Sequence, residues 1–405
     1  MDLAASASPD VVIAAEQVFD GEALHHDRTV VVRGGRIVDL TPNPPSAARL
    51  VRLPQGAILA PGFVDVQVNG GGGVLLNDDP SPAGIARIAA AHRRLGGTTA
   101  LLPTLISDTR PVIRTAIQAV SSAMAAGVPG ILGIHLEGPF LSPQRPGIHD
   151  PARLARFEPG DIALLTGLGG TGITLVTLAP EAVPPGTVAG LVARGARVCA
   201  GHTADEGSAI RAALDEGLSG FTHLFNAMSQ LGPREAGAVG IALTDDRAFA
   251  GIIADGHHVG DVALVLARRM KGPGRLMLVT DAMSPVGDPE ARATFTLFGR
   301  TIHREGSRLA GADGTLAGSM LTMAGAVRHM TARGGASLEE ALTMASLTPA
   351  RFLGLDAQIG RIAPSFAADL VALDRELHVL GTCVRGDCNV LDGRSASAAQ
   401  RIGGG

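Results

Sequence analysis

Four apolar runs in a chain of 405 residues each bring an ionisable side chain at or near their end. GIHLEG carries His135 and Glu137, CAGHT carries His202, FTHLF holds His223, and LVTDAM holds Asp281. Alone, an imidazole in an apolar strand is most often a satisfied core residue, and an aspartate ahead of a helix is most often an N-cap. Together they resist that reading, because each unpaired ionisable group taken out of water costs several kcal/mol and four strands would bear the penalty at once. A shared cation satisfies all of them. Two imidazoles and one carboxylate form a catalytic zinc set with one position left for water. Such a metal draws the pKa of its water towards neutrality, and Asp281 suits the base that takes the water proton and returns it to a leaving group. The chemistry implied is hydrolysis of an amide or ester.

These groups have to be carried to one place. Between Pro61 and about Leu355, apolar strands recur at FVDVQV, TALLPTL, ILGIHLEG, ITLVTLAP, ARVCAGHT, GFTHLF, FAGIIADG and RLMLVTDA. Helical patterns lie between most of them, such as PAGIARIAAAHRRLGG with its glycine stop. Eight strands with helical crossovers predict a (β/α)8 TIM-like barrel, whose reacting groups sit at the strand C-termini, where Glu137, His202, His223 and Asp281 fall. His135 and Glu137, two apart on a strand, share a face. Before Leu59 and after about Ile359 the pattern is short β segments, including RTVVVRGGRIVDL with a Gly34-Gly35 hairpin turn. Neither end has enough strands for a core of its own, so both termini are expected to build one small β-sandwich. The domains predicted are residues 1–59 with 359–396 for the sandwich, 60–358 for the barrel, and 397–405 as a flexible tail. The terminal runs MDLAASASPD and SASAAQRIGGG read as frayed.

Composition narrows the ligand. With 46% hydrophobic and 18% charged residues and a net charge of −4, the chain suits a folded protein without a polyanionic partner, so nucleic acid is not expected. Eleven Phe and no Trp or Tyr leave little for stacking platforms, so recognition must use hydrogen bonds and charge. The three cysteines, Cys199, Cys383 and Cys388, are too few and odd in number for a disulfide framework, and point to a reducing compartment. No signal peptide and no membrane span is apparent, and a cytoplasmic location is expected.

The stretches PGFVDVQVNGGGG, LPTLI, GIHLEGPFL, GIHDPA, VTLAPE, AGHT, THLFNAM, GIIADGHHV, LVTDAM and GTLAGSMLTM, spread over residues 61–323, resemble those of the N-acetylglucosamine-6-phosphate deacetylases of the amidohydrolase superfamily. The resemblance implies Glu137, His202 and His223 as ligands of one divalent metal ion per subunit and Asp281 as the acid/base residue, in agreement with the reading from the residues. It also implies sugar-phosphate contacts at His149, Asn226, Ala227, Arg234, His258 and Leu316. Arg234 offers a fork of donors to a phosphate, Asn226 an amide donor and Ala227 its backbone N–H. His258 is placed to polarise the acetyl carbonyl and stabilise the developing oxyanion, a catalytic role, while His257 is its bystander. Arg234 would reach the neighbouring subunit's site, so a homodimer is expected. The reaction implied is attack of hydroxide supplied at the metal on N-acetyl-D-glucosamine 6-phosphate, giving D-glucosamine 6-phosphate and acetate.

Many amidohydrolases end their first strand in His-x-His and hold a second cation with it. Here the pair is Gln67 and Asn69, whose neutral amides are weak ligands for a transition metal. A single tightly bound metal is therefore expected, with zinc, iron or cobalt all accepting the same ligands, and Gln67 and Asn69 near it, Gln67 orienting a water or the substrate. The glycines from Gly70 suit either close approach of backbone to a ligand or a tight turn. His25 and His26 read as a surface turn, His92 as an exposed helix face, His135 as a neighbour of the site and not a ligand, and Cys199 as a small hydrophobe.

The galactosamine epimer of the substrate differs only at one hydroxyl and stays open as an alternative. A D-aminoacylase or dihydroorotase-like hydrolase would recognise a carboxylate, against which FNAM and GPRE argue. A non-catalytic sugar-phosphate sensor would lack Asp281 or a ligand, and none is missing. Amino-sugar catabolism and cell-wall recycling would use the same reaction.

Overall fold

In a computed structural model of the protein, residues 11–43 and 49–389 are described. The expected frayed ends and tail, and most of the linker after Asn43, lie outside them. Eight strands build the barrel: β1 (Phe63–Val68), β2 (Thr98–Ile106), β3 (Gly133–Glu137), β4 (Ile173–Leu178), β5 (Arg197–Ala200), β6 (Gly220–Phe221), β7 (Phe249–Ile252) and β8 (Leu276–Leu278). Each pairs in parallel with the next in chain order. The barrel closes past the end of β8, where Val68 bridges Ala282 and the Asp281 N–H donates to the Gln67 carbonyl at 2.9 Å. All six residues of β1 are buried, so its polar face is not the wet face of an ordinary amphipathic strand.

Helix α1 (Pro82–Gly96) shows how the crossovers are written. The Ser81 hydroxyl accepts from the Gly84 N–H at 3.0 Å, Pro82 occupies the first turn, and Gly97 ends the helix at φ 72°. Its buried face runs Ile85, Ile88, Ala89 and His92. His92 is thus buried, contrary to the exposed position expected, because its spacing from Ile85 and Ile88 keeps it on the apolar stripe. Burial pushes its pKa down to about 4, and the neutral ring donates from Nε2 to the Gly70 carbonyl at 2.9 Å. That bond supports the glycine run. Gly70 and Gly71 pair with Val74 and Leu75 around Gly72 and Gly73 at φ 62° and 81°, so the glycines make a tight hairpin turn.

Strands from both chain ends join one eight-stranded sheet, in the order 387–389, 379–384, 370–373, 58–61, 11–19, 24–33 and 36–41, with 49–52 pairing beside 11–19. The sandwich expected from the termini is this continuous sheet with its own core. Leu370, Ala372 and Leu59 face that core, while Val371, Leu373 and Ala60 join the barrel's, as the period of two requires. Gly34 and Gly35, at φ 55° and 74°, form the expected hairpin turn. His25 and His26 lie in strand Leu24–Arg33 and not in a turn; His25 sits 2.6 Å from Asp20 Oδ2, and His26 is exposed.

Two further features depart from the sequence reading. Cys383 and Cys388 are disulfide-bonded, although three cysteines suggested none. They face each other across strands Val379–Val384 and Asp387–Asn389, because the two-residue turn at Arg385-Gly386 sets residues five apart in direct register. Cys199 is buried as expected, its thiol pushed up to about 12 by burial. Residues 294–319 form a four-stranded antiparallel sheet inserted after β8, with strands Thr294–Leu297, Arg300–Glu305, Arg308–Gly311 and Leu316–Ser319. Leu297, Ile302, Leu309 and Ala317 share a small core with Met283, which fastens the sheet over the barrel rim.

Candidate active site

The three candidate ligands meet at the rim. Glu137 is the last residue of β3, whereas His202 and His223 lie two residues beyond the ends of β5 and β6, and Asp281 lies three beyond β8. Past those ends the backbone turns left-handed, with φ 48° at His202, 36° at His223 and 51° at Asp281. Such angles are uncommon for residues other than glycine, though histidine and aspartate tolerate them better than most. A strand that continued straight would carry its side chains to alternate faces; the left-handed turn re-aims each of these over the barrel mouth.

Glu137 Oε1 lies 3.3 Å from His202 Nε2 and 3.0 Å from His223 Nε2, and the two nitrogens are 2.9 Å apart. Tetrahedral coordination with zinc–ligand bonds of 2.0–2.1 Å needs donor separations of about 3.3 Å, so the triangle is close to that size. Its chemistry also asks for a cation. His202 Nδ1 faces the Arg145 carbonyl at 2.9 Å and must donate to it, which leaves a lone pair on Nε2 of the neutral ring. Two imidazole nitrogens and a carboxylate oxygen at this spacing repel unless a proton or a metal lies among them. Burial pushes the Glu137 carboxyl up, but the His202 and His223 rings beside it hold it well below the usual range.

His149 brings a ligand atom within 4.8 Å of those of Glu137 and His202. Its Nδ1, however, accepts from the Ser107 N–H at 3.3 Å and lies 2.8 Å from the Ser107 hydroxyl, which places the ring proton on Nε2. Burial pushes its pKa down to about 3, so the ring is neutral and its Nε2 hydrogen is turned towards the cavity. His135 is buried beneath, with Nδ1 at 3.0 Å from the Val66 carbonyl and Nε2 at 2.7 Å from Thr177 Oγ1, and both ring nitrogens are thereby satisfied.

The seam that closes the barrel sets Gln67 and Asn69 against Asp281. One Gln67 amide nitrogen donates to Glu137 Oε1 at 3.2 Å and to Asp281 Oδ1 at 3.1 Å, and Asn69 Nδ2 donates to the same Asp281 oxygen at 2.6 Å. Gln67 therefore spends its amide hydrogens bridging two carboxylates. Burial and the charge of Glu137 push the Asp281 carboxyl up to about 6. Its Oδ2 has no hydrogen-bond partner among the described residues. Below it Asp65, whose role the sequence did not reveal, accepts from the Thr280 hydroxyl at 2.5 Å and is pushed up to about 7 by burial.

A cavity of about 230 Å³ opens over these groups. Asn69, Glu137, His149, His202, His223, Asn226, Ala227, His258, Asp281 and Leu316 all line it. Phe225 and Ala227 hold left-handed φ of 79° and 48°, strain of roughly 1–3 kcal/mol each that concentrates at functional turns. Asn226 Nδ2 is 3.3 Å from the His223 and Leu224 carbonyls, so its amide hydrogens brace this turn. Leu316 and its neighbour Thr315 arrive from the inserted sheet, which sequence reasoning missed although the alternating TFTLFGRTIH gave a hairpin signal. Arg234 is the exception: it is exposed, on the segment between β6 and helix Gly237–Thr244, and does not line the cavity. No helix among the described residues is long and apolar enough to cross a membrane.

The model of the amidohydrolase family matches residues 58–391. Among curated proteins, the N-acetylgalactosamine-6-phosphate deacetylase of Shewanella sp. (strain ANA-3) is 44% identical over 83% of this chain and 84% of that protein. The N-acetylglucosamine-6-phosphate deacetylase of Homo sapiens is 38% identical over 91% of this chain and 92% of that protein. Among solved structures, the N-acetylglucosamine-6-phosphate deacetylase from Pasteurella multocida superposes with a TM-score of 0.89 at 30% identity, covering 94% of this chain and all of that one.

Proposed function

The chain belongs to the amidohydrolase family, and from that premise we propose that it hydrolyses N-acetyl-D-glucosamine 6-phosphate to D-glucosamine 6-phosphate and acetate. The observation that carries this reading is the convergence of Glu137, His202, His223 and Asp281 on one cavity, with Asp281 anchored through Oδ1 and its Oδ2 unengaged. A divalent cation, zinc being our choice, fits Glu137, His202 and His223; when bound it supplies a water acidified towards neutrality and a Lewis acid for the acyl oxygen. The remaining work falls to the chain. Asp281 Oδ2 takes the water proton and passes it to the amine nitrogen as the amide bond breaks. In this reading His258, which lines the same cavity, meets the acyl oxygen, and His149 Nε2 donates to the sugar. Asn226, Ala227 and Leu316 shape the wall around the sugar phosphate. We take residues 60–358 as the catalytic unit, with 1–59 and 359–396 forming the β unit beside it, and place the protein in the cytoplasm.

The galactosamine epimer is the second reading, favoured by one observation: the Shewanella relative is more identical to this chain than the human one. Acetate release by metal-loaded protein from the two epimers and from unphosphorylated N-acetylglucosamine separates the readings. Preference for the gluco phosphate supports the proposal, and preference for the galacto epimer replaces the sugar while keeping the chemistry. No acetate from any of the three sinks the substrate class.

The exposed Arg234 suits a donor to the phosphate bound in the second subunit of a homodimer. Arg234→Ala is then expected to raise KM by about tenfold to a hundredfold with kcat changed far less, as for a lost bidentate phosphate contact. Mixed dimers of Arg234→Ala with Asp281→Asn chains should recover activity, because one site regains both groups. An inactive mixture, with exchange of subunits demonstrated, excludes a role across the interface.

A further inference from the structure

Asp65, Gln67 and Asn69 alternate along β1 and just past its end, and all three bear on the same two residues of the closing seam. Gln67 and Asn69 hold the Asp281 side chain. Asp65 reaches one residue further back: its Oδ2 accepts from the Thr280 hydroxyl at 2.5 Å, and its Oδ1 accepts from the backbone N–H groups of Gln67 at 3.1 Å and Thr280 at 3.3 Å. Asp65 and Thr280 are both fully buried, and no basic group pairs with Asp65 among the described residues. A buried carboxylate without a cation is a costly way to fasten two strands, since apolar side chains of similar size would pack there with no charge to desolvate. It calls for a task that apolar packing does not perform.

That task is the direction of Asp281. Its backbone sits at φ 51°, in the sparsely populated left-handed region, three residues past the end of β8. The peptide units on either side are clamped: the Asp281 N–H donates to the Gln67 carbonyl at 2.9 Å, the Thr280 carbonyl accepts from the Ser319 hydroxyl at 2.6 Å, and the Asp281 carbonyl accepts from the Ser319 N–H at 2.9 Å. Apolar contacts tolerate sliding, whereas hydrogen bonds weaken steeply as their angle departs from straight, so they fix how the chain is rotated. We infer that Asp65 and Thr280 are positioning residues for the hydrolysis, holding the turn at Thr280-Asp281 so that Asp281 Oδ2 stays aimed into the cavity. The inference rests on the reading of Asp281 as the acid/base residue given above. It is independent of the charge on Asp65. With Asp65 protonated, its Oδ2 donates to the Thr280 oxygen and the threonine hydrogen turns to the Gln67 carbonyl at 3.3 Å, so the two side chains stay joined.

The test is a double-mutant cycle on the full-length, metal-loaded protein, with metal content and far-ultraviolet circular dichroism measured on every variant. Thr280→Val keeps the shape of the side chain and removes its hydroxyl; it is expected to lower kcat by about tenfold to a hundredfold, the cost of misaiming a reacting group, with KM within about threefold and the metal retained. Thr280→Ser, which keeps the hydroxyl, should stay within about threefold of wild type. Thr280→Ala lacks the hydroxyl but cannot crowd Asp65, so it guards against misfolding and should match Thr280→Val. In the Asp281→Asn background the loss of the hydroxyl should cost less than about threefold, because no base remains to be aimed. Equal losses in both backgrounds would mean that the pair only holds the barrel together, and overturn the inference. Loss of the metal from Thr280→Val would overturn it too, by showing that the pair supports the whole rim. So would Thr280→Val turnover within about twofold of wild type while Asp281→Asn is slow. If Asp281→Asn itself turns over like wild type, the reading of Asp281 falls first, and this inference with it.

Discussion

Asp281→Asn is expected to lower kcat by about a thousandfold, within the range for losing a general acid/base, with the metal retained and KM little changed. The substitution is selective because of how Asp281 is held. Its Oδ1 accepts from Gln67 at 3.1 Å and from Asn69 at 2.6 Å, and the carbonyl oxygen of an asparagine can keep both bonds. What is lost is proton acceptance at the other oxygen. The same residue sets the acid limb of the pH profile. Its pKa is pushed up to about 6 by burial and by Glu137, and only the ionised form is a base, so the rate should fall tenfold per unit below that value. A bound cation, by offsetting the charge of Glu137, shifts the limb lower. In the variant the limb disappears. Stability should move the other way: a carboxyl whose folded pKa is raised contributes stability below its unfolded value near 4 that is lost as pH rises through about 6. The metal-free variant should therefore melt above the metal-free wild type at pH 8. Retained metal with near-wild-type turnover would remove Asp281 from the proton transfer.

The barrel was legible because its strands are apolar runs that end in polar groups, a pattern that survives even where the hydrogen-bonded strand is only two residues long, as at Gly220–Phe221. The clustering of Glu137, His202 and His223 was legible for the same reason. What sequence could not carry was direction within the site. Gln67 and Asn69 were expected near the metal, but that Gln67 bridges Glu137 and Asp281 while Asn69 donates to Asp281 follows from the seam between β1 and residues 281–282, a contact over two hundred residues long in sequence that no local pattern encodes. His92 was misplaced because its spacing from Ile85 and Ile88, which sets it on the buried stripe, was not applied to it. The cysteine pair was misjudged by counting cysteines instead of pairing them across a two-residue turn.

Stripping the metal with a chelator is expected to abolish turnover, by about a thousandfold or more, and one equivalent of zinc per chain should restore it. Stoichiometry is the sharper half of this prediction. A second cation would need donors on the Asp281 side of Glu137, where other amidohydrolases place His-x-His, and there the two amide nitrogens already point their hydrogens at the carboxylates. An N–H cannot ligate a metal, and turning the Gln67 amide over would leave Glu137 and Asp281 to repel each other unrelieved, while turning Asn69 over would set its oxygen against Asp281 Oδ1. Affinity should also weaken in acid. Burial pushes the His223 pKa down, but hydrogen bonding to Glu137 and the charges of Glu137 and Asp281 raise it overall, so protons compete with the cation for the same nitrogen. Saturating metal should raise the melting temperature, since ligand at about a hundred times its Kd stabilises the folded state by about 2.7 kcal/mol. Glu137→Ala should lose both the ion and this shift, because it removes the only anionic member of the trio. Metal analysis giving two equally tight ions per chain would overturn the single-site reading, and full activity in the stripped protein would overturn the metal's role altogether.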